Sequence, residues 1–428
     1  MSAIIEKLYS IYLKNSAVQT DTRKLQAGEI FFALKGDHFN GNKFAAKALE
    51  IGASAVVVDE EIALNNDKIF KVENVLETLQ QLAKHHRQQF NIPFIAITGS
   101  NGKTTTKELV NSVLATHYKT YTTKGNLNNH IGVPLTLLSI KSDAEMAVIE
   151  MGANHQKEIK SYCNYTLPTH GVITNCGKAH LEGFGGVEGV KKGKGELFDF
   201  LRTHDGTAFV NWDFEYLQNM SKGISEIVKY ATTEGFVTGK VHSANPFLSV
   251  EITSDFEEKI IQTQLVGDYN LSNVLTAVTI GKYFKVPDEK IKAAIENYAP
   301  SNSRSQLIKK GTNQIILDAY NANPTSMNAA IENFAKIEST DKVLILGGMM
   351  ELGEESIEEH KKIILLIQQY QWKNVVLVGG DFRKIKNNFL FYNTATEAKE
   401  WYQQQQFSNT TILIKGSRST AMEKVLED

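Results

Sequence analysis

The stretch Phe94-Ile95-Ala96-Ile97-Thr98-Gly99-Ser100-Asn101-Gly102-Lys103-Thr104-Thr105-Thr106-Lys107-Glu108 decides the fold, because it joins an apolar strand, a glycine turn and a helix start. Gly99 and Gly102 allow the backbone to turn with its N–H groups facing inward. Lys103 adds a positive charge, and the Thr104 hydroxyl can bind a magnesium ion. The stretch therefore predicts a loop that holds the phosphates of a nucleotide.

This loop meets the general phosphate-loop pattern only in its second half. The pattern requires a glycine five positions before Gly102, where this chain has Ile97. An ordinary corner between a strand and a helix would not require Gly-Lys-Thr directly after an apolar strand. The Gly-Lys-Thr placement therefore favours a phosphate loop that departs from the general pattern in its first half.

Length and composition limit the classes of protein to consider. A chain of 428 residues has room for roughly three domains, and 42% apolar with 22% charged residues is typical of a globular protein. The net charge of −2 gives no basic field for nucleic acid, so phosphate binding must be local. Residues 1–14 form an amphipathic pattern rather than a signal peptide, and no stretch is long enough to span a membrane, which predicts a cytoplasmic protein. Cys163 and Cys176 are too few for a disulfide framework, so both are expected to be reduced.

The first segment alternates short apolar strands at residues 30–34 and 55–58 with a helical pattern at residues 44–51. This predicts a small α/β unit that ends near a helix at residues 75–89. Thr22 and Arg23 precede its first strand. A surface turn explains each of these two side chains separately, whereas together they could hold a charged ligand, and the sequence leaves both possibilities open.

Polar residues follow several predicted strands of the second segment. Glu150 ends the apolar strand at residues 145–150, where a phosphate-loop fold needs a second acidic group for Mg²⁺. His180 follows the strand at residues 171–175, either as a structural histidine or as a ligand. Carboxyl ends of parallel strands share one edge, where ligands bind in open α/β folds. The asparagine-rich turn before an apolar helix belongs to the same edge and contains Asn126, Asn128 and Asn129.

Later segments leave further alternatives open. The lysine-rich helix start at residues 190–198 would be a solvated face on composition alone. Asn270 and Asn273 are three residues apart at a helix entrance, where they either cap the helix or contact a base. Residues 300–304 resemble a linker. Four apolar runs after it, separated by helical patterns, predict a parallel sheet with helices on both faces.

Several motifs together make the chain resemble the Mur ligases over nearly its whole length. Within that family the chain is most similar to the branch that adds D-alanyl-D-alanine, whereas the Asn-Pro-Arg signature of the diaminopimelate- or lysine-adding branch is absent. Three residues depart from the pattern of the family. Asn40 and Asn42 occupy positions where members commonly have an aspartate and a histidine, and Gly348 occupies a position where they often have aspartate. The motifs are Thr98-Gly99-Ser100-Asn101-Gly102-Lys103-Thr104, Gly125-Asn126-Leu127-Asn128-Asn129, Glu150-Met151-Gly152-Ala153-Asn154-His155, Asp318-Ala319-Tyr320-Asn321-Ala322-Asn323-Pro324 and Met350-Glu351-Leu352-Gly353.

The resemblance implies an α/β fold of three domains. A small N-terminal α/β domain (residues 1–88) would bind the UDP-sugar, a central phosphate-loop ATPase domain with a mostly parallel sheet (89–300) would bind ATP, and a C-terminal Rossmann-like doubly wound domain (301–428) would complete the site.

The resemblance also implies roles for individual residues. Lys103, His180 and Lys194 would be catalytic, with Lys194 as a carbamylated lysine. Further residues would bind the nucleotide, two Mg²⁺ ions or the other substrates. For ATP these are Gly99, Ser100, Asn101, Gly102, Lys103, Thr104, Thr105, Asn270, Asn273, Arg304 and Asp318; for the metal ions Thr104, Glu150, His180 and Lys194; and for the substrates Thr22, Arg23, Asn126, Asn128, Asn129, Tyr320, Asn321 and Asn323.

The reaction implied by this resemblance is a two-step amide synthesis in peptidoglycan precursor formation. The carboxylate of UDP-N-acetylmuramoyl-tripeptide would attack the γ-phosphate of ATP, and the amine of D-alanyl-D-alanine would then displace phosphate from the acyl phosphate. No nucleic-acid or membrane partner is expected, and we expect a monomer. The alternatives are another amino-acid-adding Mur ligase, a folylpolyglutamate synthase-like ligase, a phosphate-loop switch that needs no amine, and a catalytically silent scaffold.

Overall fold

A computed structural model describes residues 3–15, 17–301 and 303–427 of the chain. The backbone forms three larger sheets, one in each third of the chain, and a small two-stranded ribbon. Each larger sheet is covered by helices, as expected for parallel strands, which are buried on both faces. This arrangement confirms the predicted α/β class with three domains.

The N-terminal domain has a four-stranded parallel sheet in the order β1-β2-β5-β6. All four residues of strand β5, an alanine and three valines, are buried, as expected for a strand in a sheet that is covered on both faces. Of the predicted first helix, Met1 and Ser2 lie outside the described residues. The elements are α1 (Ala3–Asn15), β1 (Val18–Gln19), β2 (Ile30–Phe32), β3 (Lys35–Gly36), β4 (Phe39–Asn40), α2 (Ala45–Ile51), β5 (Ala55–Val58), β6 (Ile69–Lys71) and α3 (Val75–Arg87).

The central domain contains a nine-stranded sheet in the order β15-β14-β13-β12-β11-β10-β7-β9-β8. Strands β7 to β13 pair in parallel, and β14 and β15 continue the sheet antiparallel. The elements are β7 (Phe94–Thr98), α4 (Lys103–Leu114), β8 (Thr120–Thr122), α5 (Gly132–Leu138), β9 (Met146–Glu150), α6 (Glu158–Thr166), β10 (His170–Ile173), α7 (Leu181–Phe184), α8 (Val187–Thr203), β11 (Thr207–Asn211), α9 (Glu215–Ser221), β12 (Glu226–Ala231), β13 (Val237–Ala244), β14 (Phe247–Ile252), β15 (Ile260–Val266), α10 (Leu271–Tyr283) and α11 (Asp288–Asn297).

Strand β7 lies between β9 and β10, and its register fixes the position of the polar strand ends. Ile97 is opposite Glu150 on β9, and Thr98 is opposite Ile173 on β10. All five residues of β7 are buried. The carboxyl ends of the three strands therefore meet where the phosphate loop begins.

Helices α1 and α3 attach the N-terminal domain to the central domain. Tyr12 donates to the Leu138 carbonyl at 2.5 Å, and His86 Nε2 donates to the Ile140 carbonyl at 2.8 Å. Arg87 bonds the carbonyls at the end of α6 through Nε and Nη2, both at 2.9 Å. All three side chains are buried, and the buried polar contacts are satisfied across the joint. The two domains are thus firmly packed against each other.

The C-terminal domain contains a six-stranded sheet in the order β16-β17-β21-β18-β19-β20, in which only β16 is antiparallel. The four predicted apolar runs form β17, β18, β19 and β21, which confirms the doubly wound parallel sheet. Its elements are β16 (Gln306–Lys310), β17 (Asn313–Asp318), α12 (Pro324–Lys336), β18 (Lys342–Gly347), α13 (Ser356–Ile367), β19 (Asn374–Val378), β20 (Leu390–Tyr392), α14 (Ala395–Gln404) and β21 (Thr411–Lys415).

The predicted linker at residues 300–304 joins the central and C-terminal sheets, although its Asn302 lies outside the described residues. Ser303 and Ser305 have φ values of 56° and 49°, a left-handed conformation that is uncommon for residues other than glycine. The chain therefore turns sharply just before β16. Across the described ranges, no helix is both long and apolar enough to cross a membrane.

Candidate active site

The loop between β7 and α4 has the geometry that its sequence predicts. Gly99 has φ 145°, and a Cβ at this position would lie 1.9 Å from Thr174 Oγ1. Gly102 has φ 81° at the start of α4, where a Cβ would lie 2.6 Å from Asn273 Oδ1. Both positions therefore require glycine for space and for conformation. The loop leads directly into a helix N-terminus, where N–H groups favour anions.

Lys103 folds back over this loop. Its Nζ donates to the carbonyls of Gly99 at 2.7 Å and Ser100 at 3.2 Å. The pKa of Lys103 is lowered to about 8, mainly by burial; the Glu150 charge opposes this shift and the Arg304 charge adds to it. A phosphate group placed on the loop would favour the charged form of this lysine.

Glu150 lies at the centre of a set of oxygen ligands. Its Oε1 accepts hydrogen bonds from Thr104 Oγ1 at 3.1 Å and from Asn128 Nδ2 at 2.7 Å. Its Oε2 is buried and has no protein partner. A buried carboxylate oxygen without a partner is costly unless a cation or a proton reaches it. Hydroxyl and carboxylate oxygens are the ligands that Mg²⁺ prefers, so this pair fits a magnesium ion.

One cavity of about 830 Å³ connects the phosphate loop with the linker and the C-terminal domain. Gly99, Lys194, Thr22 and Arg23 are the predicted site residues outside its lining. The predicted residues that line it are Ser100, Asn101, Gly102, Lys103, Thr104, Thr105, Asn126, Asn128, Asn129, Glu150, His180, Asn270, Asn273, Arg304, Asp318, Tyr320, Asn321 and Asn323.

The asparagine-rich turn contributes in two different ways. Asn128 bonds Glu150, as described, whereas Asn129 Oδ1 accepts the backbone N–H groups of Ile131 at 3.1 Å and Gly132 at 2.8 Å. Gly132 is the first residue of α5 and Ile131 precedes it, so the side-chain oxygen of Asn129 holds the turn that leads into this helix. Asn126 lines the cavity. The turn therefore combines a structural contact with groups that face the cavity.

Asn270 and Asn273 form a buried network next to the phosphate loop. Asn273 Nδ2 donates to Asn270 Oδ1 at 2.8 Å, and Asn273 Oδ1 accepts from Thr106 Oγ1 at 3.0 Å. Asn270 Nδ2 donates to the Val266 carbonyl at 2.9 Å. Neither asparagine caps α10 through its side chain. The network fixes α10 against α4 and holds two amides at the cavity wall.

Residues of the linker and of the C-terminal domain form another wall of the cavity. The Arg304 guanidinium lies 3.5 Å from the Tyr320 ring centroid, which is a cation–π contact. Asp318 Oδ1 accepts the Ser305 N–H at 3.1 Å, and Asp318 Oδ2 pairs with the buried Lys415 at 2.5 Å. Asp318 thus joins the linker to the end of β21.

Asn321 and Asn323 follow β17 at the same wall. Asn323 caps α12 through Oδ1, which accepts the Ser326 N–H at 2.9 Å, and its Nδ2 donates to Asn101 Oδ1 at 2.7 Å. This bond links the C-terminal domain directly to the phosphate loop. Asn101 Nδ2 remains buried without a protein partner, so it is available to a polar ligand.

His180 lies in a segment held between the central and C-terminal domains. Its Nδ1 lies against Glu351 Oε2 without forming a hydrogen bond, and the residue also lines the cavity. Two residues earlier, Lys178 Nζ pairs with the buried Glu359 at 2.6 Å, and its N–H donates to Thr325 Oγ1 at 3.0 Å. The contacts of Lys178 and His180 with the C-terminal domain therefore hold this segment in place.

Lys194 is buried, which contradicts the interpretation of its helix start as a solvated face. Only 1% of its surface is exposed, whereas Lys192 on the same helix is exposed. Its Nζ donates to the Ala153 carbonyl at 3.0 Å and lies 4.9 Å from the Phe184 ring centroid. Burial lowers the pKa of Lys194 to about 7, with a smaller contribution in the same direction from Lys103. Ala153 lines the cavity, so the amine lies directly behind its wall.

Thr22 and Arg23 are on the N-terminal domain, away from this cavity. Arg23 forms a salt bridge with Asp21 at 2.7 Å, and 87% of its side chain is exposed. The pair Asp21–Arg23 explains the local turn. A role in binding the uridine diphosphate end stays a prediction.

The sequence analysis did not identify Lys415 as a residue of this site, and it did not predict that Glu351 contacts His180. Lys415 is the last residue of β21, so the rule that ligands collect at carboxyl strand ends was the available signal. Glu351 was quoted only as part of a motif, and its pairing with the central domain has no local sequence signal.

Models of known protein families match three successive parts of the chain. They are described as Mur ligase family, catalytic domain (residues 15–87), Mur ligase middle domain (97–281) and Mur ligase, glutamate ligase domain (303–418). Two similar relatives are named UDP-N-acetylmuramoyl-tripeptide–D-alanyl-D-alanine ligase. The protein from Escherichia coli (strain K12) is 35% identical over 96% of this chain and 92% of its own length. The protein from Bacillus subtilis (strain 168) is 32% identical over the same shares.

Solved structures give the same result. A crystal structure of MurF from Acinetobacter baumannii matches with a TM-score of 0.88 and 29% identity over 96% of this chain and 92% of that chain. MurF ligase from Thermotoga maritima in complex with ADP matches with a TM-score of 0.86 and 25% identity over 96% of each chain. The chain therefore belongs to the Mur ligase family.

Proposed function

We propose that this protein is the ATP-dependent ligase that joins D-alanyl-D-alanine to UDP-N-acetylmuramoyl-tripeptide in peptidoglycan precursor synthesis. The observation that carries the proposal is the single cavity that joins the phosphate loop to Asn321 and Asn323 of the C-terminal domain. An amide ligase must bring a phosphoryl donor, a carboxylate and an amine together, and such a cavity offers a shared space for all three. The names of the similar relatives support this choice of substrates.

The first step forms an acyl phosphate. A carboxylate oxygen of the tripeptide attacks the γ-phosphorus of ATP, an O–P bond forms, the bond to the β-phosphate oxygen breaks, and ADP leaves. Lys103 and the N–H groups at the start of α4 would neutralise charge on the transferred group. Because the substrate carboxylate is the nucleophile, no serine or cysteine nucleophile is required.

The second step forms the amide bond. The neutral dipeptide amine attacks the acyl carbon, a C–N bond forms, and the C–O bond to phosphate breaks. The amine proton that is lost leaves with the phosphate. Asn321 and Tyr320 would position the dipeptide, a role that is supported by their place in the cavity lining on the C-terminal domain.

We propose that Thr104, Glu150 and His180 serve two magnesium ions. Thr104 and Glu150 would hold one ion, since the free Glu150 Oε2 is a buried oxygen ligand. His180 would contact the other ion together with phosphate oxygens. Bound Mg²⁺ would stabilise negative charge on the phosphates during transfer. Thr104 and Asn128 orient the Glu150 carboxylate through their hydrogen bonds to Oε1.

We also propose that Lys194 carries a carbamate. A lysine with a pKa of about 7 is partly neutral at physiological pH, and a neutral amine reacts with CO₂ to give a carbamate and a proton. The modification replaces a buried cation by an anion close to Ala153 and the cavity. This change suits a position next to metal ions.

The nucleotide and the uridine diphosphate end of the nucleotide-sugar would bind to different domains. Asn270 and Asn273 would contact adenine, and Arg304 and Asp318 would reach the nucleotide from the far side. Thr22 and Arg23 would contact the uridine diphosphate end. We accordingly propose residues 1–88 as the UDP-sugar domain, 89–300 as the ATP domain and 301–428 as the C-terminal ligase domain. We also propose that the protein is cytoplasmic and monomeric.

An acceptor assay tests the function. UDP-N-acetylmuramoyl-tripeptide, ATP and Mg²⁺ are supplied with D-alanyl-D-alanine, or the shorter nucleotide precursors with L-alanine, D-glutamate, L-lysine or diaminopimelate, and phosphate release is followed. Turnover should appear with the D-dipeptide and stay near background with the other acceptors. Preference for a single amino acid would assign another branch, and release without any amine would indicate a nucleotide switch.

A variant of the phosphate loop completes this test. Lys103→Ala should reduce ligation on the order of 10³-fold or more, because it removes the charge at the phosphates. Lys192→Ala is the matched control, because this lysine is exposed and outside the cavity. Near-normal turnover in Lys103→Ala would contradict the phosphate-loop assignment.

A further inference from the structure

Glu158 is a charged residue of the cavity that the reaction steps above do not use. It is the first residue of α6, in the segment that follows Glu150, and it lines the same cavity as the phosphate loop. Of its side chain, 32% is exposed. The carboxylate is therefore open to a ligand that occupies this cavity.

One oxygen of the Glu158 carboxylate has a structural role, whereas the other is open. Oε2 accepts the backbone N–H groups of Asn154 at 2.7 Å and His155 at 3.0 Å, which holds the turn before α6. Oε1 accepts no hydrogen bond from the residues that the structure describes, and the His155 Nδ1 atom, on a side chain that is 65% exposed, lies 3.8 Å from it. The backbone contacts thus fix the carboxylate and leave Oε1 able to accept a hydrogen bond.

The other acidic residues of the cavity already have close partners. Within the described lining, the acidic residues are Glu150, Glu158 and Asp318. Glu150 bonds Thr104 beside the phosphate loop, and Asp318 pairs with the buried Lys415. Glu158 is therefore the carboxylate of this lining that can receive a cation from a substrate without loss of either contact.

An aromatic ring lies next to Glu158 on the same face of the helix. Tyr162 is four positions further along α6, so the two side chains are one turn apart on one face. Tyr162 is buried and also lines the cavity. Burial raises the pKa of its hydroxyl, and the charge of Glu158 adds to this shift, as expected for neighbouring groups. A ring beside a carboxylate fits an alkyl chain that ends in an ammonium group.

The chemistry of the proposed reaction places such a chain close to Glu158. The carboxylate that attacks the γ-phosphate belongs to the last residue of the tripeptide, so the side chain of that residue begins one carbon away from the reacting group. Lysine and diaminopimelate both carry an amine on the fourth carbon of the side chain, which is roughly 6 Å from the α-carbon in an extended chain. The amine therefore needs a partner near the phosphate loop.

We propose that Glu158 determines substrate specificity, because its carboxylate binds the side-chain ammonium of the last residue of the tripeptide while Tyr162 contacts the alkyl stem. The inference rests on the proposed function, since it requires a tripeptide carboxylate to react in this cavity. Lysine and diaminopimelate share the ammonium that is recognised. A side chain of the same length without the amine should bind more weakly, because it forms no charged hydrogen bond with Glu158.

Three UDP-N-acetylmuramoyl-tripeptides that differ only in the last residue test the proposal with the full-length protein. The last residue is L-lysine, meso-diaminopimelate or L-norleucine, which has the stem of lysine without the amine. The KM for each peptide is measured from phosphate release at saturating ATP and D-alanyl-D-alanine. In the wild-type protein, the peptide with the lower KM of the two that carry an amine identifies the preferred source of the ammonium, and the KM for the norleucine peptide should be roughly 10-fold higher.

Glu158→Gln separates the charge of this residue from its structural role. The glutamine oxygen can keep the backbone contacts of Oε2, whereas the negative charge is lost. The KM for the preferred amine-bearing peptide should rise roughly 10-fold, while the KM for the norleucine peptide stays unchanged. Glu196→Gln is the matched control and should leave the ratio of the KM values unchanged. Glu196 accepts the backbone N–H groups of Lys157 at 2.5 Å and Lys160 at 2.9 Å at the start of the same helix, but it lies outside the described cavity lining.

The pattern across the three peptides decides the outcome. An equal rise in all three KM values in Glu158→Gln would assign Glu158 a role in the turn alone, and three unchanged KM values would show that it does not contact the peptide. Either result would overturn the inference while the turnover of the wild-type protein leaves the proposed function intact. Absence of turnover with all three peptides in the wild-type protein would overturn the proposed function itself.

Discussion

Replacement of Lys194 by methionine should change how the stability of the central domain depends on pH. Burial holds the pKa of Lys194 at about 7, compared with 10.5 for an unburied lysine. Between these two pH values the unfolded chain binds a proton that the folded chain does not, so stability rises with pH. At about 1.4 kcal/mol per pH unit for one proton, the free energy of unfolding should rise by roughly 2 kcal/mol from about pH 7 to about pH 9, relative to Lys194→Met.

The measurement is urea unfolding at several pH values in buffers free of bicarbonate, which prevents formation of a carbamate. Trp212 is the only tryptophan in residues 89–300, so its fluorescence reports the central domain when Trp372 and Trp401 are replaced by phenylalanine. A separate signal is needed because a chain of three domains does not unfold in two states. Lys192→Met serves as the control, since Lys192 is exposed on the same helix. If the free energy of unfolding changed equally with pH in the wild-type protein and in Lys194→Met, the reasoning would be refuted.

Three further predictions concern the modification, the loop and the domain arrangement. Labelled bicarbonate should give a carbamate carbon signal by NMR that disappears, with most activity, in Lys194→Ala; a signal that persists would assign the modification elsewhere. Gly102→Ala should destabilise the domain by roughly 1–2 kcal/mol through its left-handed backbone and weaken ADP binding through contact with Asn273, as calorimetry would show; unchanged ADP affinity would contradict the role of this turn. Small-angle scattering should show a smaller radius of gyration with both nucleotide substrates bound, because Arg304 and Asp318 reach the site from the far side; an equal radius would argue against closure.

The sequence predicted the phosphate loop and the strands around it because their signals are local. The apolar run at residues 94–98, two glycines and a helix start are contiguous, and a buried strand followed by an acidic residue identified Glu150. Strands β16 and β20 were not predicted. The first contains glutamine and two lysines, and the second has three residues, so neither shows the apolar pattern of a core strand.

The contacts that complete the site could not be predicted, because they join residues distant in sequence. Asp318 and Lys415 come together through the register of β17 and β21, which the apolar pattern does not determine. The burial of Lys194 could not be predicted from composition either, because lysines two positions apart on this helix differ: Lys192 is exposed and Lys194 is buried. Asn129 illustrates the opposite case, because the general tendency of asparagine to stabilise turns describes its carbonyl contacts correctly.

The joint made by Tyr12, His86 and Arg87 has a consequence for the order of events in catalysis. Because three buried side chains fasten the N-terminal domain to the central domain, the surfaces expected to hold the nucleotide-sugar and ATP form a stationary half of the enzyme. The C-terminal domain is joined to that half by a sharply turned linker and also contacts it directly, for example through the Asn323 side chain, which donates to Asn101. The surfaces expected to hold the nucleotide-sugar and ATP should therefore keep a fixed position relative to each other, and a movement that admits the amine should occur at the wall formed by the C-terminal domain.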